Sequence, residues 1–410
     1  MENNKVYTTP SNSRLSRVAM LLLALYPLLA WYDISFALPL GGTVMLFFAI
    51  IAIALTGFKF RALPRAFWVV FGYVCLVWCY RNGFGLWTLL PPGGWVFFLF
   101  CVCVLSGTVT FDLNYLSKFM KMVVWIAIPL FWIQYVLVHT SGSNICFVPN
   151  ITGHFTYEGL SYGELATIHR GSLHPCSIFL EKSYMAYYLT SYLTILLFRP
   201  NQTEKWWTKE ALAIIVTLVF LRSGSGMVAL PVLLLVKIFM SFWNEKRGRR
   251  TLLIFASIPI IVAAAYIYIG LEAGEEMLSR QSELTTEGSS GYSRVVAGYM
   301  MFETQGAQEQ MWGSTRDQLV NDYGHNKEGN MSLYINGFQT ILLSFGYIGT
   351  LLYLFFYVFT FRRSTALGRM SIIMLLVMSL LESNYLNAYM VLFTVIPCAE
   401  YYIKNTAKTS

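Results

Sequence analysis

Long apolar runs separated by shorter polar stretches dominate the pattern of this chain. A transmembrane helix needs about 20 mostly apolar residues, and runs near that length begin at about twelve points. These points are Val18, Leu40, Ala66, Trp95, Val123, Ser177, Ala211, Met227, Leu252, Leu333, Ser371 and Tyr385. The pattern predicts an all-α polytopic membrane protein with about twelve transmembrane helices.

Two sizeable polar stretches, residues 140–176 and 271–332, interrupt this pattern. The second is the longest polar segment in the chain, and a loop of that length is usually functional or disordered. We expect it to form a lid or substrate loop over a membrane-embedded site. The chain then divides into an N-terminal scaffold of about five helices, residues 1–139, and a catalytic part, residues 140–410.

Composition and charge support a membrane protein and set its orientation. The chain of 410 residues is 56% hydrophobic and 12% charged, against about 25% charged residues in soluble domains. Basic clusters fall at every second connection and at both termini, and cytoplasmic loops keep an excess of Lys and Arg. The two polar loops and the five histidines are therefore predicted outside, with both termini in the cytoplasm. The net charge of +8 is a topology signal and does not indicate nucleic-acid binding.

The cysteines and histidines predict no metal site and no cofactor. Of seven cysteines, Cys146 and Cys176 bracket the first outer loop, and an oxidising compartment would allow them to form a disulfide. The spacing alone does not prove that bond. No Cys/His set has zinc spacing, and the His169-x4-His174 pair is a weak metal pattern.

Three short polar motifs are candidates for chemistry. Glu181 and Lys182 lie where the first outer loop enters a helix; charges at such a boundary mark a site, or they form an interface pair with the lysine snorkelling. The turn from Arg222 through Ser223 and Ser225 either holds an anion with serine hydroxyls and helix amides or is a tight helical hairpin. Asn336 and Gln339 are three residues apart, so on a helix they share a face, which we expect to look into the bundle.

In their order along the chain, these motifs resemble the O-antigen polymerase and O-antigen ligase superfamily of Wzy/WaaL-type membrane glycosyltransferases. Arg170 followed by Phe179-Leu180-Glu181-Lys182-Ser183 resembles the family's arginine and its Phe-x-Glu-x-Ser motif. The serine-rich turn at 223–226, Arg294 and Gly313 in the long loop, and Asn336 before Gly346-x-x-Gly349 resemble later family elements. The likeness covers roughly residues 170–352.

The resemblance implies glycan transfer from an undecaprenyl-pyrophosphate-linked oligosaccharide to a sugar hydroxyl, on the periplasmic face of the bacterial inner membrane. Arg170 and Arg294 would jointly hold the pyrophosphate, since guanidinium binds phosphate oxygens bidentately. Glu181 or His325 would supply the base, with the remaining substrate contacts from Ser183, Arg222, Ser223, Ser225, Tyr334 and Asn336. A metal is not required, and a chain-length regulator protein is a candidate partner.

One departure and two alternatives remain open. Ile335 stands where many family members have a histidine before the asparagine, so Tyr334 or His325 would have to replace it. Within the superfamily, a ligase is the alternative to a polymerase. A lipid-linked-oligosaccharide flippase also suits about twelve spans, but transporters are commonly built from repeated halves, and no such repeat is visible here.

Overall fold

The computed structural model describes residues 14–34, 39–57, 65–82, 111–155, 159–199, 208–243, 292–314, 335–381 and 391–406. The first helices are α1 Arg14–Leu29, α2 Leu40–Thr56, α3 Arg65–Asn82, α4 Leu113–Ser141, α5 Tyr162–Gly171, α6 Lys182–Phe198, α7 Lys209–Leu221 and α8 Gly224–Trp243. The later ones are α9 Gly298–Glu303, preceded by a π-helical turn at Ser293–Ala297, then α10 Ala307–Trp312, α11 Gly337–Arg363, α12 Ala366–Leu381 and α13 Val391–Thr406.

The predicted all-α class is confirmed within these ranges, where no β-strand occurs and only isolated bridges are found. Helices α4 and α11 are long and apolar enough to cross a membrane, and shorter apolar helices include α2 and α12. The predicted spans that begin at Trp95 and Leu252 lie outside the described residues. The number of crossings and their orientation stay predictions.

The chain forms two compact units. The first comprises Met1–Ser223, Leu351–Leu375 and Leu386–Ser410, and the second comprises Gly224–Thr350 and Leu376–Tyr385. The predicted division at residue 139, between a scaffold and a catalytic part, is a functional one and stays a prediction.

In the first unit, α6 is the central helix, because nearly every one of its residues is buried. A helix that is apolar and buried all round belongs to the interior of a large protein. The Tyr188 hydroxyl donates to the Ala24 carbonyl of α1 at 2.9 Å, and the rings of Trp31 and Tyr184 stack with centroids 5.0 Å apart. These contacts fix the start of α6 against the N-terminal helix.

Helix α4 has well-defined ends, and the turn after α1 contacts the stretch of chain that follows α4. Asp112 caps the N-terminus of α4, and Gly142 ends the helix in a left-handed conformation. The Tyr32 hydroxyl donates to the Pro149 carbonyl at 2.5 Å, and its ring packs on Phe155 at a centroid distance of 5.0 Å. The N-terminal part of the chain therefore contacts the stretch after α4 directly, at Pro149 and Phe155.

In the second unit, the described part of the predicted long loop contains helical turns. The π-helical turn, α9 and α10 lie within residues 293–312. Helix α11 is interrupted at Gly346, whose φ of 63° and ψ of −166° are not helical. This break is where α10 ends against α11, as described below.

Candidate functional site

Arg170 lies in the last turn of α5, where it is exposed. The helix begins with a reciprocal cap: the Glu164 backbone N–H donates to the Ser161 hydroxyl, and the Glu164 carboxylate accepts from the Ser161 backbone. These hydrogen bonds hold the pKa of Glu164 below its usual range. The hydrogen bonds and ion pairs found among the described residues do not include the Arg170 guanidinium. Its position at the C-terminus of α5 is one that favours a cation.

Gln134 of α4 holds the segment between α5 and α6 in place. Its side chain is wholly buried, and its Oε1 accepts hydrogen bonds from the backbone N–H groups of Cys176, at 3.0 Å, and Ser177, at 2.6 Å. Its Nε2 donates to the Ile145 carbonyl at 2.5 Å. One amide thus ties the stretch that follows α4, at Ile145, to the segment that precedes α6.

Ser177 itself has a left-handed backbone, with φ of 60°. A non-glycine residue in this region costs on the order of 1 to 3 kcal/mol unless the surroundings enforce it. Here the enforcement comes from Gln134 and from the Ser177 hydroxyl, which donates to the Ala127 carbonyl of α4 at 2.8 Å. The turn that precedes α6 is therefore set by α4.

His169 and Cys176 form a buried pair beside this turn. The His169 Nε2 lies 3.0 Å from the Leu180 carbonyl, which accepts only, so Nε2 carries the proton. The other nitrogen, Nδ1, then accepts from the Cys176 thiol, 3.6 Å away. Burial lowers the pKa of His169, opposed by its Leu180 hydrogen bond and by Glu181, and burial raises the pKa of Cys176. The pair is a neutral imidazole with a protonated thiol.

The predicted disulfide between Cys146 and Cys176 was wrong for this structure, in which both thiols are free. In place of that bond the Cys176 thiol contacts Nδ1 of His169 in the interior, although Cys146 is close enough to contribute to the raised pKa of Cys176. Cys146 is half-buried, and burial raises its pKa while the nearby positive charge of Arg170 lowers it.

Glu181 lies at the N-cap of α6, half-buried, and its Oε2 accepts from the Ser183 hydroxyl at 2.9 Å. The preceding carbonyl, that of Leu180, is the one that accepts from His169. Two predicted site residues, Glu181 and Ser183, are therefore in direct contact, and the His169 hydrogen bond fixes the backbone that carries them.

A pocket of about 320 Å³ opens beside these groups. Its walls combine the apolar side chains of α5 and of Leu180 with the polar residues Ser172, His174, Glu181 and Lys182. Arg170 is not one of the lining residues. The first unit therefore holds an exposed arginine and, separately, a pocket that contains Glu181.

The second unit contains Arg294 and Asn336. The Arg294 backbone belongs to the π-helical turn, a distortion often found at functional sites. Gly298, one turn later, is packed so closely on α11 that a Cβ there would lie 2.6 Å from Cδ of Gln339.

Asn336 and Gln339 cap each other: Oδ1 of Asn336 accepts from the Gln339 N–H at 2.8 Å, and Oε1 of Gln339 accepts from the Asn336 N–H at 3.1 Å. The prediction that these two amides share a buried face is confirmed.

Gly313 and Gly346 lie on opposite sides of a close backbone contact. A Cβ on Gly346 would overlap the Met311 carbonyl, and one on Gly313 would overlap the Ser344 and Phe345 backbone. The Ser314 N–H donates to the Leu343 carbonyl at 2.6 Å, and so supplies a partner where the helix is interrupted. Two glycines that the sequence associated only by family resemblance thus meet at the break in α11.

The remaining predicted site residues lie in the turn between α7 and α8 or outside the described part of the chain. Arg222, with φ of 49°, and Ser223 form the tight turn expected between α7 and α8. Ser223 and Ser225 are buried, and both the hairpin interpretation and the anion-binding role stay predictions. His325 and Tyr334 lie outside the described residues.

A comparison with known families now decides the broader class. Residues 19–399 match the model of the WcaD colanic acid polymerase family. The chain belongs to this family. The resemblance to Wzy-type polymerases is thereby confirmed, and the WcaD family supports a polysaccharide polymerase role, a glycosyltransferase-like enzyme in a membrane. No individual curated protein matches the chain.

Sequence reasoning about this WcaD-family chain missed Gln134, His169 and Cys176 as a connected set. A lone glutamine in an apolar span predicts a buried hydrogen-bond contact, since a polar side chain inside a membrane helix must find a partner. That rule points to Gln134 but not to its partners, which are 42 and 43 residues away along the chain.

Replacing Gln134 with leucine is expected to lower the free energy of unfolding by about 2 to 6 kcal/mol, because two buried N–H groups lose their acceptor at about 1 to 3 kcal/mol each. The matched control is Ser191→Ala, since the buried Ser191 hydroxyl donates only to the Tyr187 carbonyl of its own helix. Unfolding midpoints of both variants in detergent would be compared. Equal stability of the two variants would contradict the role assigned to Gln134.

Proposed function

We propose that this chain is a polymerase that transfers glycan from an undecaprenyl-pyrophosphate-linked donor to a sugar hydroxyl of a lipid-linked acceptor. The observation that carries the proposal is the family match over residues 19–399. The exposed Arg170 guanidinium and, separately, the pocket lined by Glu181 suit the two halves of such a reaction. An arginine neutralises a leaving pyrophosphate, and a carboxylate accepts the proton of an attacking hydroxyl.

In the proposed step, the acceptor oxygen attacks the anomeric carbon of the donor sugar, and the bond from that carbon to the phosphate oxygen breaks. Undecaprenyl pyrophosphate leaves as an anion, and on the sequence-based hypothesis Arg170 and Arg294 are the residues that neutralise its charge. The acceptor proton passes to Glu181. His169 is a poor candidate for the base, because both of its ring nitrogens are engaged in the interior.

We further propose that the protein is a multi-pass protein of the bacterial inner membrane with both termini in the cytoplasm and the site on the periplasmic face. The alternation of basic clusters supports this orientation. Reporter fusions after Ser143 and after Ser289 are expected to be active only as exported reporters. Activity of a cytoplasmic reporter at either point would overturn the orientation.

The polymerase is tested with purified protein in detergent. The substrate is the lipid-linked repeat unit that accumulates when the gene is deleted in its host. We expect a ladder of longer glycans still attached to the lipid pyrophosphate, together with released undecaprenyl pyrophosphate. Transfer to lipid A core alone would indicate a ligase. No covalent product, together with transport of the repeat unit in vesicles, would indicate a flippase.

A further inference from the structure

The pocket beside α5 has a shape and lining that the proposed function leaves unassigned. We infer that it binds the terminal sugar of the acceptor glycan, the end that carries the attacking hydroxyl. The inference rests on the proposed polymerase function and adds the substrate end that this pocket recognises.

The size of the pocket suits a sugar ring. Its volume of about 320 Å³ is at the lower end of the range for small-molecule sites, about 300 to 1,000 Å³. There is room for a sugar ring, but not for a whole repeat unit with its lipid. The rest of the acceptor must therefore leave through the mouth of the pocket, which is compatible with recognition of a chain end.

The lining has two kinds of surface, one apolar and one polar, that complement the C–H face and the hydroxyl groups of a pyranose. Leu165 and Ile168 of α5, with Leu180, form an apolar wall that suits the C–H face of a sugar. Glu181 accepts hydrogen bonds, and Lys182 donates them, so the polar wall suits hydroxyl groups. The charges of these two neighbours offset each other, and the exposed arginine, Arg170, lies outside the lining. The pocket therefore favours a neutral polyhydroxylated group over a pyrophosphate.

The pocket is also held in shape without a ligand. His169 bonds to the Leu180 carbonyl at 3.0 Å, and the Asn144 side chain donates to the carbonyls of Ser172 and His174 at 3.1 and 3.4 Å. Gln134 anchors the Cys176 N–H beneath them. A site whose walls are fixed in advance loses little entropy when it binds, and this fixed geometry would hold the acceptor hydroxyl near the Glu181 carboxylate.

The test fills the pocket from its exposed edge. Ile168 is 52% exposed although it lines the pocket, so Ile168→Trp adds bulk there without forcing a large ring into the core. The matched control is Leu173→Trp. Leu173 lies just after the end of α5, is 60% exposed and is not among the residues that line the pocket.

The acceptor probe is the free oligosaccharide repeat, which has no pyrophosphate and so cannot act as donor. With purified full-length protein and the lipid-linked repeat as donor, we expect Ile168→Trp to raise the KM for the free repeat at least tenfold. The KM for the donor should change less than twofold, and Leu173→Trp should resemble wild type in both.

An unchanged acceptor KM in Ile168→Trp, or equal increases for acceptor and donor, would overturn the acceptor-pocket assignment while the polymerase proposal stands. Absence of any covalent product with wild-type protein would instead overturn the polymerase proposal, and the pocket assignment with it. The two failures are therefore distinguishable in one set of assays.

Discussion

Replacing Gly346 with alanine is expected to remove most correctly assembled protein. The φ of 63° and ψ of −166° at this position lie in a region that is essentially restricted to glycine. The new Cβ would also overlap the Met311 carbonyl, and a backbone atom cannot rotate away as the end of a flexible side chain can. We expect a loss on the order of 4 kcal/mol or more, at the upper end of single substitutions. Gly313→Ala should behave similarly, because its Cβ would overlap the Ser344 backbone.

The control for this prediction is Gly57→Ala. Gly57 ends α2 with φ of 76° and ψ of 160°, a similar backbone region, but its Cβ would meet nothing within 4 Å. That variant carries only the conformational strain, about 1 to 3 kcal/mol. Unfolding midpoints and membrane levels of the variants are the measurement. If Gly346→Ala and Gly57→Ala lose the same stability, the backbone contact at the break in α11 is not tight.

The fold class was predictable from the sequence because the length of an apolar run alone identifies a candidate membrane helix. The predicted spans that begin at Leu40 and Leu333, for example, correspond to α2 and α11. The break at Gly346 was not predictable in the same way, since glycine is common in membrane helices. What makes this glycine special is the chain segment that contacts it from more than 30 residues away.

The sequence proposes individual candidate residues but not their arrangement. Glu181 is a candidate because a charge at the start of an apolar run is costly unless it has a role, and Ser183 is one because of the family resemblance. The predicted disulfide failed for the opposite reason: spacing identified two thiols near one segment, but only packing shows that the Cys176 sulfur faces His169. The sequence likewise predicts the N-terminal helices as scaffold, but it does not identify the contacts of Tyr32 with Pro149 and of Trp31 with Tyr184 at the start of α6.

Replacing Arg294 with lysine is expected to lower the polymerisation rate about a hundredfold, although the charge is kept. The guanidinium fork matches two phosphate oxygens, whereas an ammonium offers a point charge. Loss of one such charge-stabilising contact in an active site costs on the order of 3 kcal/mol. Arg170→Ala should lose activity to a similar extent.

The control is Arg65→Lys, at the exposed start of α3, which should retain wild-type activity. Glycan ladders at matched membrane levels are the measurement.

The double variant Arg170→Ala with Arg294→Ala tests the sequence-based hypothesis that both arginines bind the same pyrophosphate. Groups that act together on one ligand give strongly non-additive effects, so the double variant should be little slower than the slower single variant. If the two rate losses multiply, the arginines act independently, and one of them serves another step. Long chains produced by both single alanine variants would remove both arginines from the mechanism. Short products that still grow at a reduced rate are what loss of leaving-group stabilisation predicts, since the acceptor pocket at Glu181 is untouched by either change.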